Sequence, residues 1–150
     1  MTAENWVRSR RKTVVKIVAD SYAWVELFLG SEAGLRVKKS LEDAEGVITP
    51  GTVLAEIARK YLREGLQEAT VKKRLATILE ASEVLDIDEA IAVGSARAYL
   101  ELFERSRSAG LRDPSLFDAI VLASARQTGA KVLTGDEHFK GLAETLWLKA

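Results

Sequence analysis

Four acidic residues occupy positions where apolar residues would cost less free energy. Asp20 and Asp136 each follow a short, mostly apolar run, whereas Glu56 and Asp118 interrupt the apolar segments VLAEIA and LFDAIVLASA. A buried carboxylate is costly unless it is paired or binds a cation, and neighbouring carboxylates raise one another's pKa. Mg²⁺ or Mn²⁺, which prefer oxygen ligands, would remove both penalties. Such a centre is suited to phosphodiester hydrolysis.

Each acid also has a purely structural interpretation. Asp20 and Asp136 are suitable caps for the helices that follow them. Glu56 has Lys60 four residues later, the favoured spacing for a surface ion pair. Asp118 lies in the first turns of its helix, where the macrodipole favours a negative charge. The four acids together favour a metal site more than any one of them does.

The elements that must position these acids alternate between strands and helices. The predicted strands are 14–19, 46–49, 83–87, 131–134 and 144–148, and the predicted helices are 22–29, 31–43, 52–64, 68–82, 88–109, 113–128 and 136–143. Alternation of this kind predicts an α/β fold of three α/β/α layers around a central, mainly parallel sheet of four to five strands. Ligands bind such sheets at the carboxyl ends of the strands, which is where Asp20 and Asp136 stand.

Cap residues set several of the predicted helix boundaries. Thr52, Asp88 and Asp113 are the predicted N-caps, and Pro114 is then the first residue of its helix. Gly65 and Gly129 are the predicted stops.

Composition restricts the function. The chain has no cysteine, which excludes thiolate metal sites and disulfides and fits a cytoplasmic location. Basic and acidic residues number 22 each, which argues against a protein that coats nucleic acid non-specifically. The single histidine, His138, disfavours a His-rich metal site or a Ser-His-Asp triad and is interpreted as an ordinary residue of a short helix. The apolar runs are too short to span a membrane.

The 150 residues predict one domain with a short extension. Residues 1–12 are polar and basic and lack the apolar stretch of a secretory signal, and residues 13–150 form the predicted domain. The extension is either a solvated terminus or a basic arm that contacts a phosphate backbone.

Four segments, in this order and spacing, resemble the PIN domain, most closely the toxin ribonucleases of VapBC toxin–antitoxin systems. They are VADSYAWVEL, TVLAEIARKYLREG, FDAIVLASARQTGA and KVLTGDEHF, and the resemblance covers residues 14–148. It implies a Mg²⁺- or Mn²⁺-dependent endoribonuclease that forms a homodimer and is inhibited by a small antitoxin protein. The implied site is Asp20, Glu56, Asp118 and Asp136, with Ser21 and Thr134 orienting water or phosphate.

In the implied mechanism, Asp20, Glu56 and Asp118 anchor one metal, and Asp136 helps to hold a second metal or a water. Attack on the phosphodiester leaves a 5′-phosphate and a 3′-hydroxyl. The expected substrate is single-stranded or looped RNA. The basic residues expected to hold its backbone are Arg59, Lys60 and Arg112.

Other assignments fit less well. A haloacid-dehalogenase-type phosphatase would need a second Asp two residues after the first, where this chain has Tyr22, and a receiver domain would need a further acid set and a late Lys. Two alternatives stay open: a non-catalytic PIN-like module that binds RNA or protein, and a PIN nuclease of RNA processing that is not a toxin.

Overall fold

The computed structural model of the chain describes residues 15–150. The extension predicted for residues 1–12 and the predicted strand start at Val14 lie outside the described residues. The strands are β1 Lys16–Ala19, β2 Gly46–Pro50, β3 Glu83–Leu85, β4 Lys131–Thr134 and β5 Thr145–Trp147. The helices are α1 Ser21–Leu29, α2 Glu32–Asp43, α3 Gly51–Arg63, α4 Glu68–Ala81, α5 Glu89–Ser108 and α6 Leu116–Thr128, and a 3₁₀ helix covers Glu137–Phe139.

The five strands form one sheet in the order β3-β2-β1-β4-β5, and every pair is parallel. The central strand β1 pairs Val18 with Ile48 on one side and with Val132 on the other. Its apolar, β-branched residues suit this position, because a central parallel strand is buried on both faces. The α/β prediction is confirmed, with five strands and no antiparallel pair among the described residues.

The connections place the helices on both faces of the sheet. The chain moves outward from β1 to β3 through α1–α4 and then returns past β1 to β4 through α5 and α6. Because crossovers between parallel strands are right-handed, the reversal of direction puts α5 and α6 on the face opposite α1–α4. Within residues 15–150 no helix has both the length and the apolar composition of a membrane span.

A buried hydrogen-bond chain fixes α1, the helix that follows the first acid. The fully buried indole of Trp24 donates from Nε1 to Thr49 Oγ1 at 3.2 Å, and Thr49 Oγ1 lies 2.8 Å from Ser82 Oγ. The Ser82 hydroxyl in turn donates to the Ile78 carbonyl at 2.7 Å. These contacts join α1 to β2 and to the end of α4, so that the start of α1 has a defined position above the sheet.

Two predicted N-caps are wrong. α3 begins at Gly51, one residue before the predicted cap Thr52, and the Thr52 hydroxyl is buried without a partner among the described residues. α6 begins at Leu116, with Ser115 as its cap in place of Asp113. Ser115 is preferred because it forms reciprocal hydrogen bonds with Asp118, three positions later. The Asp88 cap is confirmed, since its side chain accepts from the Ile91 amide at 2.8 Å.

Two other segments are shorter than predicted. The strand predicted for 83–87 ends at Leu85, and the helix predicted for 136–143 is reduced to the single 3₁₀ turn Glu137–Phe139. Gly141 has a φ of 84°, a left-handed conformation that a helix cannot contain. The chain therefore turns there toward β5.

Gly34→Ala is expected to lower the free energy of unfolding by roughly 3 kcal/mol, because overpacking displaces backbone. A Cβ at Gly34 would lie 2.1 Å from the Glu26 carbonyl oxygen, where α2 crosses α1. Gly94→Ala, inside α5, is the matched control, since its Cβ would meet the Ala123 side chain at an ordinary 3.5 Å. Urea unfolding should show a large loss in the free energy of unfolding for Gly34→Ala and no loss for Gly94→Ala. Equal effects would contradict the close helix crossing.

Candidate active site

An open cleft of about 550 Å³ lies at the carboxyl edge of the sheet. Three of the four predicted acids line it, namely Glu56, Asp118 and Asp136. Ser21 and His138 also line it. Basic residues from α3 and from the α5–α6 loop also line it: Arg59, Lys60, Arg63 and Arg112. The cleft therefore combines a carboxylate cluster with a cationic rim, and the rim includes all three basic residues that the sequence suggested.

Asp20 is buried beside this cleft, with 5% of its surface exposed. Its Oδ1 caps α1 by accepting from the Ala23 amide at 2.9 Å, and its Oδ2 accepts from the Thr134 hydroxyl. Burial raises the pKa of Asp20 to about 7, and the charges of Asp136 and Glu56 add to the rise, while the two hydrogen bonds oppose it. The structural interpretation of Asp20 as a helix cap is thus correct, and the same residue is also coupled to the other acids.

Thr134 connects Asp20 with Asp136. The fully buried hydroxyl donates to Asp20 Oδ2 and accepts from the Asp136 amide at 3.0 Å. Its contacts orient the two acids at the ends of β1 and β4. That Thr134 also orients water or phosphate stays a prediction.

Glu56 projects from α3 and is half-buried. Burial raises its pKa, the Ser21 hydroxyl lowers it, and the charges of Asp118 and Asp136 raise it further. The alternative ion pair with Lys60 is not formed, because Lys60 Nζ lies 2.7 Å from Glu64 Oε1, one turn further along the helix. Glu56 is therefore left facing the cleft.

Asp118 is held by a capping box at the start of α6. The Asp118 amide donates to Ser115 Oγ at 3.1 Å, and the Ser115 amide donates to Asp118 Oδ2 at 2.9 Å. Burial raises the pKa of Asp118 and the charge of Asp136 adds to it, whereas the hydrogen bonds with Ser115 lower it. The capping box fixes the direction of the carboxylate, whose side chain is 18% exposed.

Asp136 begins the 3₁₀ turn and interacts with His138. Asp136 Oδ1 accepts from the His138 amide at 2.9 Å and lies 2.8 Å from the ring Nδ1, while Nε2 lies 2.9 Å from the Arg112 carbonyl. Both ring nitrogens thus face acceptors, an arrangement that suits the protonated imidazolium. Burial lowers the pKa of His138, but the Arg112 carbonyl and Asp136 outweigh it, and the net shift is upward.

The placement of His138 corrects its interpretation as an ordinary helix residue, because the side chain lies in the cluster. The only signal in the sequence is its spacing, two residues after an acid that ends a strand. Asp118, Asp136 and His138 each offer a ligand atom within 4.8 Å of the others. Because both imidazole nitrogens are engaged, the carboxylates are the suitable cation ligands in this set. Asp20 and Glu56 lie outside the set but are coupled to it electrostatically.

Comparisons with known proteins place this architecture in a family. The model of the PIN domain matches residues 17–145. Ribonuclease VapC11 of Mycobacterium tuberculosis is 29% identical over 136 residues, which cover 89% of this chain and 96% of that protein. A toxin–antitoxin complex from Klebsiella pneumoniae superposes with a TM-score of 0.67 at 18% identity, covering 89% of this chain and 98% of that one.

A second solved structure has the same fold. M. tuberculosis VapC20, described as a toxin that cleaves the sarcin-ricin loop, gives a TM-score of 0.64 at 21% identity over 86% of this chain and 98% of its own. The family match spans β1 through the start of β5, and so includes all the elements that carry the acids. The chain belongs to the PIN domain family.

Proposed function

We propose that this protein is a divalent-metal-dependent endoribonuclease and the toxin of a toxin–antitoxin pair. The observation that carries the proposal is the clustering of four carboxylates from four separate elements, three of them with raised pKa values, at one edge of a parallel sheet. Clusters of like charge are unfavourable in a purely structural role, and shifted pKa values of this kind concentrate at functional sites. The related proteins named above support ribonuclease activity.

The donor set fits a hard cation. The ligands offered are carboxylate oxygens, which suit Mg²⁺ or Mn²⁺, and burial together with repulsion between the carboxylates raises the pKa values of Asp20, Glu56 and Asp118. We propose Asp20, Glu56, Asp118 and Asp136 as the metal-binding and catalytic residues. When bound, the cation would neutralise negative charge on the phosphate and acidify water.

The chain's own side chains supply orientation and substrate binding. Thr134 fixes Asp20 and Asp136, the capping box fixes Asp118, and Ser21 lies beside Glu56. His138 donates to Asp136 and to the Arg112 carbonyl, which ties the turn after β4 to the α5–α6 loop. Arg59, Lys60 and Arg112 on the rim would hold the phosphates of a single-stranded RNA on either side of the acids.

Further parts of the proposal concern assembly and organisation. An antitoxin partner is supported by the toxin–antitoxin complexes with the same fold. We also propose a homodimer, a cytoplasmic location, and a division into a 1–12 extension and a 13–150 nuclease domain. A PIN nuclease of RNA processing and a non-catalytic PIN-like binding module are the alternatives.

The test is cleavage of a labelled pool of single-stranded and hairpin RNAs with Mg²⁺, Mn²⁺ or EDTA. We expect metal-dependent cleavage that leaves 5′-phosphate ends and is lost in Asp118→Asn. Glu80→Gln, an exposed acid on α4, is the matched control and should cleave like the wild type. If the wild type neither cleaves RNA nor binds Mn²⁺ in calorimetry, the catalytic proposal is wrong and the binding module is favoured.

Thr134→Val is expected to lower the cleavage rate roughly 10- to 100-fold, the usual cost of losing an outer partner of a metal ligand. Valine keeps the shape of the buried side chain but removes both hydrogen bonds, to Asp20 and from the Asp136 amide. Thr134→Ser keeps the hydroxyl and should retain most of the activity. Equal loss in both variants would indicate a packing defect and contradict the orienting role.

A further inference from the structure

A second cavity of about 320 Å³ adjoins the acidic cleft, and both are lined by Arg112, Asp136 and His138. We call it the Tyr22 cavity. Its own lining consists of Tyr22, Leu111, Gly135, Glu137 and Lys149. Because three residues line both cavities, the two lie side by side, and neighbouring nucleotides of one polymer would reach both.

We propose that the Tyr22 cavity binds one nucleotide of the RNA, next to the phosphate held in the acidic cleft. The base would contact the Tyr22 ring and Leu111, and the backbone phosphate would contact Lys149 and Arg112. This inference rests on the proposed function only for the identity of the polymer.

The Tyr22 ring packs closely on the backbone at the edge of the sheet. A Cβ at Gly135 would lie 2.4 Å from Tyr22 Cε1 and 2.6 Å from Cζ, so the ring packs directly on the backbone that follows β4. Tyr22 is nevertheless partly exposed. A ring that is already immobilised loses little entropy when a base packs against it. Aromatic side chains of this kind are the usual platforms for single-stranded nucleic acid.

Two cations line the Tyr22 cavity, and one of them lies over the ring. Lys149 Nζ lies 5.4 Å from the centroid of the Tyr22 ring, and its side chain is 43% exposed. Its flexible stem can carry the ammonium to a phosphate when a base displaces it from the ring. Arg112 is exposed on the wall that the two cavities share.

The cavity also contains negative charge, which restricts its occupant. Glu137 Oε1 lies 3.8 Å from Lys149 Nζ. Asp136, which contacts His138, lines both cavities. These carboxylates disfavour a compact polyanion. They tolerate a nucleotide, whose uncharged base occupies the aromatic side and whose single phosphate takes the place of Glu137 as the partner of Lys149.

The test measures binding of a fluorescent RNA hexamer to the full-length protein in EDTA, so that no cleavage occurs. Tyr22→Leu should weaken binding roughly tenfold, within the range for loss of a stacked base. Six further hexamers each lack one base at a different position. One of these six RNAs should bind to the wild type as weakly as the intact hexamer binds to Tyr22→Leu. For that RNA, Tyr22→Leu should cause no further loss of affinity.

Matched controls separate stacking from folding defects. Tyr99→Leu removes a tyrosine of α5 that lines neither cavity and should not change binding. Lys149→Gln should weaken binding and lower the slope of log affinity against log salt by about 0.7, as expected for one phosphate contact. The inference is overturned if Tyr22→Leu binds the intact hexamer normally, or if it weakens all seven RNAs equally. Neither result depends on whether the protein cleaves RNA.

Discussion

Asp20→Asn is expected to lower the rate of RNA cleavage at least about a hundredfold and, at pH 8 without metal, to raise the free energy of unfolding. The loss of rate follows from removal of a ligand charge, since even an outer partner of a ligand contributes 10- to 100-fold. The gain in stability follows from burial, because a carboxylate that is 5% exposed has its pKa raised to about 7 and is charged unfavourably at pH 8. The magnitude of the gain is roughly 4 kcal/mol.

Asparagine suits this test because it preserves the local contacts. Its Oδ1 can still accept from the Ala23 amide, and its amide can donate to the Thr134 hydroxyl, which has a free lone pair. Single-turnover cleavage and urea unfolding at pH 8 measure the two effects on the same preparation. A variant that is both inactive and less stable would show that Asp20 is required for folding, and would contradict the opposed effects predicted here.

The metal-free protein is expected to lose stability as the pH rises from 5 to 7. The folded-state pKa of Asp20 is raised from 3.8 to about 7, so the folded state keeps a proton that the unfolded state has already released. Stability therefore falls over this interval, by about 2 kcal/mol for Asp20. The raised pKa values of Glu56, Asp118 and His138 act in the same direction.

Urea unfolding in EDTA between pH 5 and pH 8 measures this loss. Asp20→Asn should reduce the slope, and Mg²⁺ or Mn²⁺ should restore stability at pH 8 because a ligand that binds only the folded state stabilises it. Glu101→Gln is the control, since the hydrogen bond with Arg126 lowers the pKa of Glu101. Titration of Glu101 therefore changes stability only at acidic pH, below this interval. Stability that is flat or rises from pH 5 to pH 8 would contradict the raised pKa of Asp20.

The sequence predicted the strands well because their signal is local. β1 and β4 are short, mostly apolar runs, and their predicted C-terminal ends, Ala19 and Thr134, agree with the structure. The approach of Asp20 and Asp136 was predicted from topology, since parallel strands end at the same edge. The apolar neighbours of Glu56 made it a candidate, and the family resemblance favoured this role over a surface residue paired with Lys60.

The errors arose where tertiary contacts decide between equivalent residues. Asp113 and Ser115 are both good cap residues, and the choice depends on the reciprocal bonds between Ser115 and Asp118. The position of His138 depends on the Arg112 carbonyl, 26 residues away in the chain. The sequence also did not indicate that Thr134 is buried, because a threonine at the end of a strand is equally compatible with an exposed hydroxyl.

The hydrogen bond from Thr134 to Asp20 joins residues 114 positions apart. During synthesis on a ribosome, Asp20, Glu56 and Asp118 all emerge before β4, which then pairs with the open edge of β1. Until then the buried Asp20 lacks the hydroxyl that holds its second oxygen. A nascent chain therefore cannot assemble the acidic centre from its first half, and the onset of any activity coincides with the completion of the sheet.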